Sequence, residues 1–327
     1  MKKLSGLFII TMLTLSLAAL FNGCGGGSSP STSRGGGTDA TLTASNAPQV
    51  ADVVRQAVKL VAPATLGQVN ATSVSPEKRA PLMSIFEKVA PVIGKHATNG
   101  KQSSDILPSE NCSGGGSIEV TNISVPDLSG NVKADVNVNG CTIGTETMNG
   151  VLKVTVPVGA LTDILHTEKF TIEVTSFTYS DSTTTSLSLT DNFTILAMDF
   201  TYDGNSLTGG SVTLGGTVSG TIHGNPVNIS CDSLGSHFNV NSSGVAVSVS
   251  GRMSTSCLGG WVTLSTNLPV FVPADANCPT GGEIVVSAGG SSVTMHVEAN
   301  SKIDIFFNGA LVQKYDDCSQ VIGLCTG

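Results

Sequence analysis

The chain has 327 residues, of which 40% are hydrophobic and only 12% charged, with a formal net charge of −8. That much apolar residue excludes a chain disordered throughout and suffices for a sizeable core. The acidic balance excludes nucleic acid as a partner, because phosphate would be repelled.

Met1-Lys2-Lys3 followed by an apolar run from Leu4 to Phe21 has the charged and greasy regions of a secretory signal, which assigns residues 1–23 to targeting rather than fold. Ser5, Gly6, Thr11, Thr14 and Ser16 interrupt the run. It is therefore marginal as a permanent span, which needs about 20 apolar residues. The run Phe21-Asn22-Gly23-Cys24 resembles the lipobox of bacterial lipoproteins, in which a small residue precedes the cysteine that receives diacylglycerol and becomes the mature first residue. The resemblance implies lipidation at Cys24, a membrane partner reached through that lipid, and a place in the cell envelope. Gly25, rather than Asp, follows the cysteine, which by the same analogy implies the outer membrane. Removing Lys2 and Lys3 with the signal leaves 14 basic against 24 acidic side chains, a net charge of −10.

Residues 24–45 read as a lipid-anchored flexible tether, because Gly25 to Gly37 is a Gly/Ser-rich linker. Residues 46–101 read as a helical segment. Val50, Val53, Val54, Ala57, Val58 and Val61 recur at helical spacing after the start signals Asn46 and Pro48, and Pro63 ends the run. A second stripe uses Leu82, Ile85, Phe86, Val89 and Ile93. Two helices packed on a sheet, or on each other, are expected.

After Cys112 the period becomes two. Val132, Ala134, Val136 and Val138 alternate with polar residues, as do Leu152, Val154 and Val156, and Phe170, Ile172 and Val174. Asn139-Gly140, Asn149-Gly150, Asp203-Gly204 and Asn308-Gly309 read as two-residue hairpin turns. The fold class is therefore mainly β: a long antiparallel meander over 112–318, as a sandwich or an open curved sheet, in one domain or two modules. Residues 319–327 form a tail. The clearest hairpin is Ile303, Ile305, Phe307, then Asn308-Gly309, then Leu311 and Gln313 to Tyr315. The Cys/Gly-Gly/strand pattern at Cys112, Cys257 and Cys278 resembles β-meander lipoproteins of environmental proteobacteria, a likeness that supplies no activity.

Setting Cys24 aside for lipid leaves seven cysteines, which in an exported chain read as a disulfide framework. Sequential pairing joins Cys112 to Cys141, Cys231 to Cys257 and Cys278 to Cys318, leaving Cys325 free. The alternative joins Cys318 to Cys325 and strands Cys278.

The five histidines, 96, 166, 223, 237 and 296, form no zinc or haem spacing, and neither a nucleophile elbow nor a phosphate loop is present, so no cofactor, metal or catalytic residue is assigned. His296, Glu298, Lys302 and Asp304 read as a solvated sheet face with a Glu298–Lys302 pair, the alternative being a cation site. Asp316-Asp317 reads as a polar turn rather than a calcium loop. Trp261 is expected to pack in the core rather than form a sugar platform. These features favour a non-enzymatic envelope protein with a structural or binding role. The alternatives are a carrier or sensor of an apolar ligand and an enzyme whose site is scattered in sequence.

Overall fold

The computed structural model describes residues 37–61, 93, 109–124, 126, 130–143, 146–157, 170–180, 186–189, 193–203, 206–222, 225–273 and 278–321. The fold is mainly β, a single antiparallel sheet of sixteen strands in a meander. In chain order these are β1 (Glu110–Asn111), β2 (Ser117–Thr121), β3 (Asn131–Ile143), β4 (Glu146–Pro157), β5 (Phe170–Ser180), β6 (Ser186–Leu189), β7 (Phe193–Asp203) and β8 (Ser206–Ile222). There follow β9 (Asn225–Asn241), β10 (Gly244–Thr255), β11 (Gly260–Leu268), β12 (Val270–Pro273), β13 (Gly282–Ala288), β14 (Ser291–Val297), β15 (Ile303–Phe307) and β16 (Ala310–Tyr315).

Spatial order follows chain order, with two places where a short strand and a longer one share one line of the sheet. β6 and β7 together occupy the space between β5 and β8. β12 and β11 do the same beside β10. The alternation read from sequence holds along the strands. Val132, Ala134, Val136 and Val138 on β3, Leu152, Val154 and Val156 on β4, and Phe170, Ile172 and Val174 on β5 are all buried.

The expected first helix is α1 (Ala47–Val61). Asn46 starts it: its carbonyl accepts the first helical bond from Val50 N, while its side chain is bound to the preceding turn, accepting from Thr43 N and donating to Thr41 O. Ala47, Val50, Ala51, Val53, Val54 and Ala57 are fully buried, and the helix lies across the inner face of the sheet, touching β8–β10 and β13–β15. Small residues on that face let the helix backbone approach the strands closely. Asp52, on the same helix, is buried and partnered. The second stripe lies outside the described residues except for Ile93, which is helical and buried in the same core. Val321, in the short 3-10 turn Cys318–Val321, is also fully buried, and that turn touches α1.

Two of the expected turns are not turns. Asn139-Gly140 and Asn149-Gly150 lie inside β3 and β4, at bulges where the register shifts between Val138 and Cys141 and between Val151 and Leu152. The chain continues past Gly140 because Cys141 and Met148 extend the buried face and Thr142 exchanges backbone bonds with Gly114 and Gly115. Asp203 ends β7 opposite Ser206, and Gly204 lies outside the described residues. Asn308-Gly309 does form the β15–β16 turn, with φ of 47° and 81°.

Candidate functional site

The N-terminal chain is fastened to the sheet much earlier than the linker composition implies. Thr38 O accepts from Trp261 N at 3.0 Å, and Ala40 N donates to Trp261 O at 2.9 Å, so Asp39 adds a short parallel bridge to the edge of β11. This edge is open because β13 pairs β11 only from Thr263 onward. Ala40 and Leu42 are buried beside it. Trp261 is the single tryptophan of the chain. Contrary to expectation it is half-buried rather than part of the core. Its ring is covered by its own chain: the Arg252 guanidinium stands 5.3 Å from the ring centroid, and a side chain on Gly37 would overlap the indole. Arg252 also reaches Asp39 at 3.5 Å and Asp232 at 3.9 Å. This seat was invisible in sequence because its members are brought together only by strand register and carry no local motif.

The cysteines resolve as follows. Cys112–Cys141 and Cys278–Cys318 are bonded, as sequential pairing expects. The third expected pair is not formed. Cys231 is a free, buried thiol, whereas Cys257 is disulfide-bonded. Cys231 faces Met253 across the strands, four residues short of Cys257. Cys257 thus lies past the end of β10, in the turn Ser256–Gly259, and not opposite Cys231. Burial pushes the Cys231 thiol up to about 12. Cys24 and Cys325 lie outside the described residues.

On the outer face of the last hairpins the register lines up Glu283, His296, Asp304 and Lys314 across β13 to β16. His296 Nδ1 is 3.3 Å from Glu283 Oε2, Glu283 Oε1 accepts from Asn267 Nδ2 at 2.7 Å, and Lys314 Nζ donates to Asp304 Oδ2 at 2.8 Å. The Asp304 hydrogen bond holds the Lys314 ammonium above its ordinary range, partly opposed by desolvation and helped by the charges of Asp304 and Glu298. The expected Glu298–Lys302 pair exists only as a backbone bond, Glu298 N to Lys302 O, while Lys302 Nζ goes to Asp316 at 3.1 Å. Exposed pairs of this kind contribute under about 1 kcal/mol.

Two further groupings have suggestive composition. Cys278, Asp317 and Cys318 bring three donor atoms within 4.8 Å, but both sulfurs are joined to each other and neither is a thiolate. Ser211, His237 and Asn239 sit together on the outer face of β8 and β9. Ser211 Oγ lies 3.1 Å from His237 Nδ1, and Asn239 Nδ2 lies 3.4 Å from His237 Nε2.

No protein family matches the chain, no curated protein matches it, and no solved structure does. Function therefore has to be argued from the sheet, the N-terminal seat and the lipobox-like segment alone.

Proposed function

We propose that the chain is a lipid-anchored protein of the cell envelope, fastened through Cys24 to the outer membrane, whose role is structural or binding rather than catalytic. The observation that carries this reading is the seat at Trp261. Thr38, Asp39 and Ala40 are bound to β11 and to Arg252 directly after the Gly/Ser-rich linker, so a tether leading to Cys24 leaves the fold at a fixed point. The disulfides Cys112–Cys141 and Cys278–Cys318, with the bonded Cys257, support folding where thiols oxidise. α1 occupies the inner face over β8–β10 and β13–β15 with six fully buried small side chains, which favours presentation of a rigid sheet over carriage of an apolar ligand in that space.

The test is the mass of the N-terminal peptide of protein taken from its host membrane. A diacylglyceryl adduct on Cys24 is expected, and Cys24→Ser is expected to accumulate as unprocessed precursor without incorporated fatty acid. Normal maturation of that variant removes the reading. Native mass spectrometry of the same material, if it returned a stoichiometric bound lipid besides the anchor, would move the assignment to the carrier.

A further inference from the structure

Antiparallel pairing sorts the connections of the meander onto two ends of the sheet. The pairs Thr255↔Gly260, Ala288↔Ser291 and Phe307↔Ala310 put the turns Ser256–Gly259, Gly289–Gly290 and Asn308–Gly309 at one end. The pairs Ser117↔Asn139 and Thr142↔Thr147 put the turn Ser113–Gly116 at that end too. None of these four described turns contains a charged residue. The N-terminal seat is at the same end, since Trp261 is the second residue of β11 and Ala40 O lies beside Gly289. The opposite end carries Glu298, Lys302, Asp316 and Asp317, together with the Ser242-Ser243 turn. Along β10, Ser254, the partner of Trp261, is eleven residues from Ser243, about 36 Å at the rise of a strand.

We infer that the seated end faces the bilayer, and that its neutral, glycine-rich turns are the surface presented to lipid headgroups. The inference rests on the lipid-anchor reading. From Cys24 to Gly37 the chain advances thirteen residues, which span at most about 45 Å. A Gly/Ser-rich coil of that length averages about 20 Å end to end, short of the length of the sheet, so the attachment point lies on average nearer the membrane than the far turn. Short turns without charged groups can approach headgroups without stripping water from an ion.

The single tryptophan supplies the probe. Full-length acylated protein is placed on vesicles of phosphatidylethanolamine and phosphatidylglycerol that contain dansyl-phosphatidylethanolamine. Trp261 emission is expected to be largely transferred to the dansyl lipid, whereas a variant with the probe moved to the far turn, Trp261→Phe with Ser243→Trp, is expected to lose little. Equal or stronger transfer from position 243 overturns the orientation while leaving the anchor reading intact. Protein that does not float with the vesicles at all removes both. Hydrogen exchange of the unaltered protein gives the same answer without substitution. Vesicle binding is expected to slow the amides of 256–259 and 289–290 and leave those of 242–243 and 299–301 unchanged, and the reverse pattern overturns the inference.

Discussion

The hairpins β13–β16 and the long strands β8–β10 solve the same problem differently. In β13–β16 strands of five to seven residues form two hairpins with two-residue turns, Gly289-Gly290 and Asn308-Gly309, whose positive φ angles match the twist of the strands they join. In β8–β10 strands of twelve to seventeen residues absorb the twist inside themselves. A row of bulges crosses all three at Leu214/Gly216, Ser233 and Gly251, and in β9 it leaves both Cys231 and Leu234 facing inward. Glycine in the first region allows the chain to reverse. In the second it allows two backbones to touch.

The sharpest way to break this comparison is Gly251→Ala. Gly251 has φ of 121°, and a Cβ there would overlap the Ser233 carbonyl, which belongs to the neighbouring strand and cannot swing away as a side chain would. Conformational strain of about 1–3 kcal/mol adds to overpacking of similar size, so a loss of about 4 kcal/mol is expected in denaturant unfolding. A loss below about 1 kcal/mol would mean that the bulge row relaxes freely and the distinction between the two regions is false.

The same contrast explains what the sequence disclosed. Fold class, strand alternation, the α1 stripe and the Asn308-Gly309 turn were legible because each is set by neighbours within a few residues. The identical dipeptide at 139–140 and 149–150 misled because the buried alternation runs on through Cys141 and Met148, and continued burial of a sheet face outweighs a local turn preference. Cysteine order gave Cys112–Cys141 and Cys278–Cys318 but failed at Cys231, whose position is fixed by cross-strand register with Met253. The Trp261 seat was illegible for the same reason, since Asp39, Asp232, Arg252 and Trp261 meet only through pairings far apart in the chain.

Cys231 also offers a pH test confined to the bulged region. Its thiol moves from an ordinary 9.0 in the unfolded chain to about 12 in the folded one, because burial penalises the thiolate. The neutral thiol is thus the form the fold accepts. Its contribution is fully present below pH 9 and is lost as pH rises toward 12, at about 1.4 kcal/mol per pH unit. Cys231→Ala is expected to remove that part of the alkaline slope while the slope from other groups remains. The measurement is the difference between the two stability–pH curves over that window. Parallel curves would show that Cys231 is solvated and the inner face of β9 is not dry.

The smallest effect is expected at the turn of the last hairpin. Gly309 has φ of 81°, yet a Cβ there would meet nothing within 4 Å, so Gly309→Ala costs only the left-handed backbone preference, about 1 kcal/mol. The turn is also held by Asn308, whose backbone N donates to Ser292 O at 2.9 Å and whose Oδ1 accepts from Ser292 N at 2.8 Å, so register should survive the change. Thermal unfolding of Gly309→Ala beside Gly251→Ala therefore compares one residue type under two constraints. If alanine at 309 proves as damaging as at 251, backbone conformation alone governs both, and close approach of neighbouring strands is not what requires glycine in β10.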